Sequence, residues 1–235
     1  MQAVILAGGL GSRLRPLTEH TPKVMISVNG KPFLLYQLEL LKSQGIKDIV
    51  LCIGYLGKQV RDFFGNGERF GIRIRYSEEK GELMGTGGAL KQAQDLLDEH
   101  FFVMNGDTYL PIDYRELERT FLSYGKKALM LVYDNHEDTG LMNNVELDGN
   151  LMVTKHDKEN ANPNLEYIEA GVLSLRLGAL DFIPERCSIS LEKGLYSTLI
   201  GQRELVAYVT EQRFYDIGTP NQKKIFEEFL KNKTA

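Results

Sequence analysis

Ala3-Val-Ile-Leu-Ala-Gly-Gly-Leu-Gly-Ser-Arg-Leu-Arg-Pro-Leu-Thr18, followed after Glu19 and His20 by Thr21-Pro-Lys-Val-Met25, is the stretch on which the reading of this chain turns. Ala3 to Leu6 is a short apolar run with no polar alternation, which reads as a strand buried on both faces. It ends at Ala7 and then at Gly8, Gly9 and Gly11, where the missing side chains let the backbone turn sharply and leave its N–H groups uncovered. A loop of that kind after a strand lets phosphate oxygens sit on main-chain donors. Arg13, Arg15, Lys23 and Lys31 follow, against one acid, Glu19, in a chain whose net charge is −4. Local positive charge beside uncovered amides points to a triphosphate site.

Two familiar glycine loops do not fit. A dinucleotide fingerprint needs a third glycine where Leu14 stands, and an acid at the end of the second strand, where the chain has Gly54-Tyr-Leu56. A Walker loop ends in Gly-Lys-Ser/Thr, and Gly11-Ser-Arg13 does not.

The 235 residues are enough for one sizeable α/β core, and 43% hydrophobic with 26% charged residues is a globular composition. No eighteen-residue apolar run is present, so no membrane span is expected. The N-terminus enters a strand directly and Cys52 and Cys187 lack metal-ligand spacing, which together read as a cytoplasmic protein with reduced thiols. No basic stripe interleaved with aromatics occurs, so no nucleic-acid partner is expected. The four histidines have no ligand spacing, and no G-x-S-x-G elbow appears, which leaves zinc-enzyme and hydrolase readings without support.

Along the chain, helices are expected over 31–44, 58–64, 89–97 and 113–124, with Gly45 closing the first and Asp113 capping the last. Strands are expected over 48–53, 72–76, 101–104 and 128–133, and the polar, glycine-rich segment 77–88 reads as a loop. This alternation predicts a mostly parallel twisted sheet flanked by helices, with ligands beyond the carboxyl ends of its strands. After Asp134 the pattern changes to alternating strand, Asp148-Gly-Asn150 and strand again, a hairpin signal. Strands over 167–177 and 205–209 follow, and Thr219-Pro220 opens a final helix.

The first stretch, L-A-G-G-L-G-S-R-L-R-P-L-T…P-K, is similar to the signature of the sugar-1-phosphate nucleotidylyltransferases, and shorter motifs extend the resemblance along the chain. It implies a Rossmann-like nucleotidyltransferase fold in a single domain. A nucleotide-binding half, about 1–133, would be followed by an acceptor-binding half, about 134–235, carrying the hairpin, with no C-terminal β-helix domain. The implied reaction is attack of a sugar-1-phosphate oxygen on the α-phosphorus of a nucleoside triphosphate, with Mg²⁺ as cofactor and pyrophosphate as leaving group.

Residue by residue, the resemblance places Leu6, Ala7, Gly8, Gly9, Gly11, Ser12 and Arg13 on the nucleotide, with Arg13 and Lys23 catalytic. Gly85, Thr86 and Gly87 of M-G-T-G-G-A match the loop that reads base and ribose. Asp107 in N-G-D-T and Asp216 in F-Y-D-I-G-T-P match the metal aspartates, Asp107 also touching nucleotide. Lys158, in H-D-K-E, falls where relatives have the lysine of Glu-Lys-Pro, with Asp157 and Glu159 as departures, and Glu169-Ala-Gly171 matches the sugar end. Relatives read Arg-Tyr-Gly-x-Val before the hairpin. Here Leu141-Met-Asn-Asn-Val145 puts Asn143 or Asn144 at the acceptor, so a heptose- or mannose-type 1-phosphate is expected over glucose 1-phosphate.

Short members with G-T-G-G-A in the base loop resemble heptose-1-phosphate or mannose-1-phosphate guanylyltransferases, which implies a part in capsule or lipopolysaccharide biosynthesis. Uridylyl-, thymidylyl- and cytidylyltransferases share the first motif, so the residues leave the base open, as they leave a homo-oligomer open. The molybdenum-cofactor guanylyltransferases place their lysine nearer the arginine than Lys23 stands to Arg13. A nucleotide-sensing subunit without catalysis tends to lose a metal aspartate or the signature arginine, both of which this chain keeps.

Overall fold

The computed structural model describes residues 1–137, 139–158, 165–185 and 187–234. Glu159 therefore lies outside the described residues. Seven strands form the main sheet: β1 (Gln2–Leu6), β2 (Asp48–Ile53), β3 (Arg73–Glu78), β4 (His100–Asn105), β5 (Ala128–Tyr133), β8 (Ile168–Arg176) and β9 (Leu205–Thr210), in the order β9-β5-β8-β4-β1-β2-β3. β8 runs antiparallel to both neighbours, and every other pairing is parallel. β6 (Val145–Leu147) and β7 (Val153–His156) form the expected hairpin, closed by the Asp148 carboxylate accepting from the amides of Asn150 and Met152.

The apolar runs of the sequence have a direct cause in this sheet. In β1, Ala3 and Ile5 join the core on one face while Val4 joins the core on the other, and β4 and β5 divide their side chains in the same way. A strand buried on both faces shows no polar alternation. Helices α1 (Phe33–Ser43), α2 (Gly57–Phe64) and α4 (Tyr114–Tyr124) bury Leu34, Val60 and Leu117 in the first core, and α3 (Gly85–Gln92) buries Ala89 and Leu90 in the second. A third cluster under the last helix, α5 (Pro220–Thr234), packs Phe226 against Leu14, Phe33, Tyr109 and Ile217. Asp113 caps α4 through the amides of Arg115 and Glu116, and the Thr219 hydroxyl accepts from the Gln222 amide at the start of α5.

The boundaries depart most from expectation at β3, α3 and the start of α1. The strand expected to end at Tyr76 continues to Glu78, and the expected loop over 77–88 already contains the first turn of α3 at Gly85. The helix expected over 89–97 is thus Gly85–Gln92, followed by a 3₁₀ turn at Gln94–Leu96. Tertiary packing explains why glycines open a helix here. A Cβ on Gly87 would sit 3.0 Å from the Ile189 carbonyl, and one on Gly88 would collide with that of Cys187. Lys31 and Pro32, expected in α1, instead pair with Ser27 and Val28 in a two-residue ladder.

The order of the sheet positions the site. From β1 the chain builds outward through β2 and β3, then returns to the other side of β1 with β4. Such a reversal leaves a crevice beyond the carboxyl ends of the two central strands. The glycine loop leaves β1 at that edge and the Asn105-Gly-Asp107 turn leaves β4 beside it. Because β8 runs the other way, its first residues, including Glu169, start at the same edge.

Candidate active site

A cavity of about 330 Å³ opens at this edge. One wall carries Leu6, Ala7, Gly8, Gly9, Gly11, Lys23, Glu79, Gly85, Thr86 and Asp107, and the facing wall carries Lys158, Glu169, Glu192 and Tyr196. Residues expected on the nucleotide and on the acceptor thus share one space.

On the first wall, Gly11 adopts a left-handed conformation (φ 62°), and its carbonyl accepts from the Thr18 hydroxyl at 2.9 Å. The amides of Gly8, Gly9, Leu10 and Gly11 make no hydrogen bond among the described residues. That leaves a row of main-chain donors for an anion. Ser12 and Arg13 are exposed on the next turn, whose Leu14 is locked into the third core cluster. Lys23 begins its own short turn and pairs with Asp107, both side chains being largely covered.

Asp107 is held by its neighbours. The Gly106 amide donates to the Leu6 carbonyl at 3.0 Å, and a Cβ at Gly106 would lie 2.5 Å from that oxygen, so only glycine fits there. Asp216 reaches the same place through a two-residue ladder in which it faces Thr108, while the Ile217 amide donates to the Asp107 carbonyl at 3.1 Å. Burial raises the Asp216 pKa, and the nearby Asp107 charge raises it further, against the Gly218 amide, Lys23 and Arg13. The charge of Asp107 thus disfavours the ionised form of Asp216. Arg13 stands next to Asp216: a Cβ at Gly218 would be 2.8 Å from Asp216 Oδ1 and 3.2 Å from Arg13 Nη2. Of the other cations in the first stretch, Lys31 pairs with Glu39 and lies over the Tyr36 ring. Ser12, Arg13, Arg15, Lys31 and Asp216 do not line the cavity, so of the cations in the first stretch only Lys23 does.

Where α3 begins, Thr86 Oγ1 accepts from the Leu191 amide at 2.9 Å, and the amides of Gly87 and Gly88 both donate to the Ile189 carbonyl. Gly87 therefore faces the 187–191 segment, while Gly85 and Thr86 line the cavity. Glu79, just past β3, anchors this loop by accepting from the Met84 amide at 2.6 Å through Oε1. Its Oε2 lies against Gly8 and Gly54, where a Cβ on either glycine would strike it. Burial raises the Glu79 pKa. The neighbouring Cys52 thiol is pushed up to about 12 by burial, which makes it a poor nucleophile near neutral pH.

On the facing wall Glu169 is almost fully covered and uses both oxygens. Oε1 accepts from the Tyr196 hydroxyl at 2.7 Å, and Oε2 faces His156 Nε2 at 2.9 Å and Lys158 Nζ at 2.8 Å. Lys158 also meets Glu192 Oε1 at 2.7 Å. Burial alone would raise the Glu169 pKa. Lys158 and the His156 hydrogen bond outweigh it and hold the carboxyl far below its usual range, while the two glutamates raise Lys158.

Asn143 and Asn144 do not line the cavity. Asn143 Oδ1 accepts from Asn135 at 2.8 Å, and Asn144 Oδ1 accepts from the Glu169 amide at 2.8 Å, so Asn144 touches the acceptor wall from behind. Gly171 (φ 70°) sits at an irregular register in β8 and packs on Thr108 and Asn105 under the Asp107 turn. Sequence reasoning missed Glu79, His156, Glu192 and Tyr196. His156 carried one signal, a polar ring at the end of a hairpin strand; the other three had no local mark.

The model of the family described as nucleotidyl transferase matches residues 2–231. The chain is 35% identical over 221 residues to the D-glycero-alpha-D-manno-heptose 1-phosphate guanylyltransferase of Campylobacter jejuni, covering 94% of this chain and 96% of the relative. It is 34% identical to the probable mannose-1-phosphate guanylyltransferase 2 of rice (Oryza sativa), over 94% of this chain and 62% of that longer protein. The crystal structure of HddC from Yersinia pseudotuberculosis complexed with GMP-PN superposes with a TM-score of 0.82 at 28% identity, covering 97% of this chain and 99% of that one. By its glycine loop, its sheet order and these matches, the chain belongs to the nucleotidyl transferase family.

Proposed function

We propose that the protein transfers GMP from GTP to a heptose- or mannose-type 1-phosphate, releasing pyrophosphate. The observation that carries this reading is one cavity lined both by the glycine loop, whose amides are free, and by Lys158. The triphosphate would lie on the amides of Gly8 to Gly11 with Arg13 and Lys23 beside it. The acceptor's phosphate would come from the Lys158 side, so that its oxygen attacks the α-phosphorus opposite the departing pyrophosphate. No covalent enzyme intermediate is required, and catalysis rests on alignment and charge neutralisation.

The metal reading suits the residues present. Among the described residues no three His, Cys, Asp or Glu side chains form a protein cage. Mg²⁺ is commonly held by one or two carboxylates and completed by substrate phosphates, for which Asp107 and Asp216 are the candidates. Bound there, it would neutralise charge building up on the phosphates. The nucleotide-binding half would be about 1–133 and the acceptor half about 134–235. The work would be cytoplasmic, in building a capsule or lipopolysaccharide sugar, by one chain or a homo-oligomer, with no nucleic acid or membrane partner.

Guanine is supported by Glu79. A carboxylate offers only acceptors, and guanine alone among the bases presents two adjacent donors, N1–H and N2–H₂, on its Watson–Crick edge. Uracil and thymine flank their donor with carbonyls, and adenine and cytosine place a ring acceptor beside their amine. Both would set a lone pair against the carboxylate. Glu79→Gln keeps an oxygen for the Met84 amide and presents an amide to the base. It is expected to lower kcat/KM for GTP by about 10²-fold, because hydrogen-bonding sites discriminate strongly. A pyrophosphate-release screen of the nucleoside triphosphates against a panel of sugar 1-phosphates tests both halves of the proposal. Preference for UTP or TTP in the parent, or an unchanged GTP preference in the variant, would remove guanine and Glu79 respectively.

Arg13→Ala and Lys23→Ala are expected to cut turnover by at least about tenfold, while leaving the melting temperature within a few degrees of the parent, since partly exposed charges contribute little to stability. A collapse in melting temperature would make these side chains structural.

A further inference from the structure

Gln37 lies fully buried on the core face of α1, between Phe33, Leu34, Leu38 and Leu41. Its Nε2 donates to the Asn105 carbonyl at 2.9 Å and to the Thr108 carbonyl at 2.6 Å. Those carbonyls begin and end the Asn105-Gly-Asp-Thr108 turn. Its Oε1 has no partner. The two carbonyl contacts fix the amide orientation, because a flipped amide would set its oxygen against both.

An unpaired buried carbonyl oxygen costs free energy that an apolar side chain of similar volume would avoid. Packing alone therefore does not account for glutamine here, and the two donated bonds do. We propose that Gln37 is the positioning residue of Asp107: one amide ties the two ends of the turn and so fixes the direction of the carboxylate that leaves its middle. Gly106 against Leu6 and Gly171 against Thr108 restrict the same turn from other sides, but neither spans it. Gln37 itself does not line the cavity. The proposal rests on the reading of Asp107 as a metal ligand.

Gln37→Met removes the donors at nearly constant volume, and Gln37→Glu keeps the shape while placing an acceptor against two carbonyls. The test is Mg²⁺ titrated by calorimetry into protein holding a non-hydrolysable GTP analogue, with Asp107→Asn alongside and melting temperatures for every variant. Supporting partners of metal ligands typically change metal affinity by about 10–100-fold. Both Gln37 variants are expected to weaken Mg²⁺ binding by at least about tenfold and to raise the Mg²⁺ concentration for half-maximal rate in step, with the acceptor KM unchanged. Unchanged Mg²⁺ affinity in folded Gln37 variants, with Asp107→Asn weakened, overturns the proposal and leaves the role of Asp107 standing. Unchanged affinity in Asp107→Asn as well removes Asp107 from the metal and the proposal with it.

Discussion

Asp107→Asn and Asp216→Asn are each expected to lower kcat by on the order of 10²–10³-fold, the loss typical of removing one electrostatic stabiliser from a transition state. The same changes are expected to leave stability unaltered or slightly higher. Asp216 is buried next to the Asp107 charge, and both effects push its pKa up, so the folded protein holds Asp216 in a place that disfavours its charge. Asparagine at either position relieves that repulsion. At Asp107 it also loses the charge partner of the largely covered Lys23, though its amide oxygen can still accept from that ammonium. Activity and stability therefore move independently, which distinguishes a functional carboxylate from a structural one. Steady-state kinetics over a range of Mg²⁺ concentrations, with thermal melts of the same preparations, would decide it. Near-parental turnover in either variant would take that aspartate out of the reaction.

Glu169→Ala is expected to destabilise the protein by about 3 kcal/mol, the scale of breaking a buried ion pair from one side. For a chain of this size that corresponds to a fall in melting temperature of roughly 6–12 °C. The loss has three sources: the Tyr196 hydroxyl, the His156 ring and the Lys158 ammonium all lose a common acceptor. Lys158 is 42% exposed and can turn to water or to Glu192, so most of the cost falls on Tyr196 and His156, which remain covered. The pH dependence has a definite sign. Because the folded-state pKa of Glu169 is depressed from 4.5, its contribution is fully present above that value and drains away as the pH falls toward the lower folded value. The stability gap between the parent and Glu169→Gln is thus expected to narrow below about pH 4.5. A gap that stays constant from pH 6 to pH 3 would mean that the charge of Glu169 contributes nothing. The acceptor wall gains a further meaning from this network. We propose that Glu169 orients Lys158 as well as serving the sugar, since Oε1 keeps a lone pair beyond its bond from Tyr196.

What the residues by themselves determined is what local energetics can encode. Doubly buried strands appear as unbroken apolar runs, the Asp113 cap and the Thr219-Pro220 opening act within one turn, and Asp148-Gly-Asn150 closes its own hairpin. The glycine loop belongs to the same class, since its free amides follow from turning without side chains. So does Asp107 at the end of a buried strand.

Tertiary structure decided what depends on partners remote along the chain. The reversal of β8 delivers Glu169 to the crevice, and no periodicity within that strand reveals its direction. Glycines at 85–88 read as a loop because the 187–191 segment that makes them necessary lies far away in sequence. Lys31 leaves the site for Glu39, and Asn143 turns to Asn135, because nearby partners within hydrogen-bonding reach capture them. Glu79, Gln37 and Tyr196 acquire their places only when loops and helices from different parts of the chain close on them. Propensity and periodicity act over a few residues, whereas a hydrogen bond or ion pair depends only on where two groups meet in space, and that is known once the chain has folded.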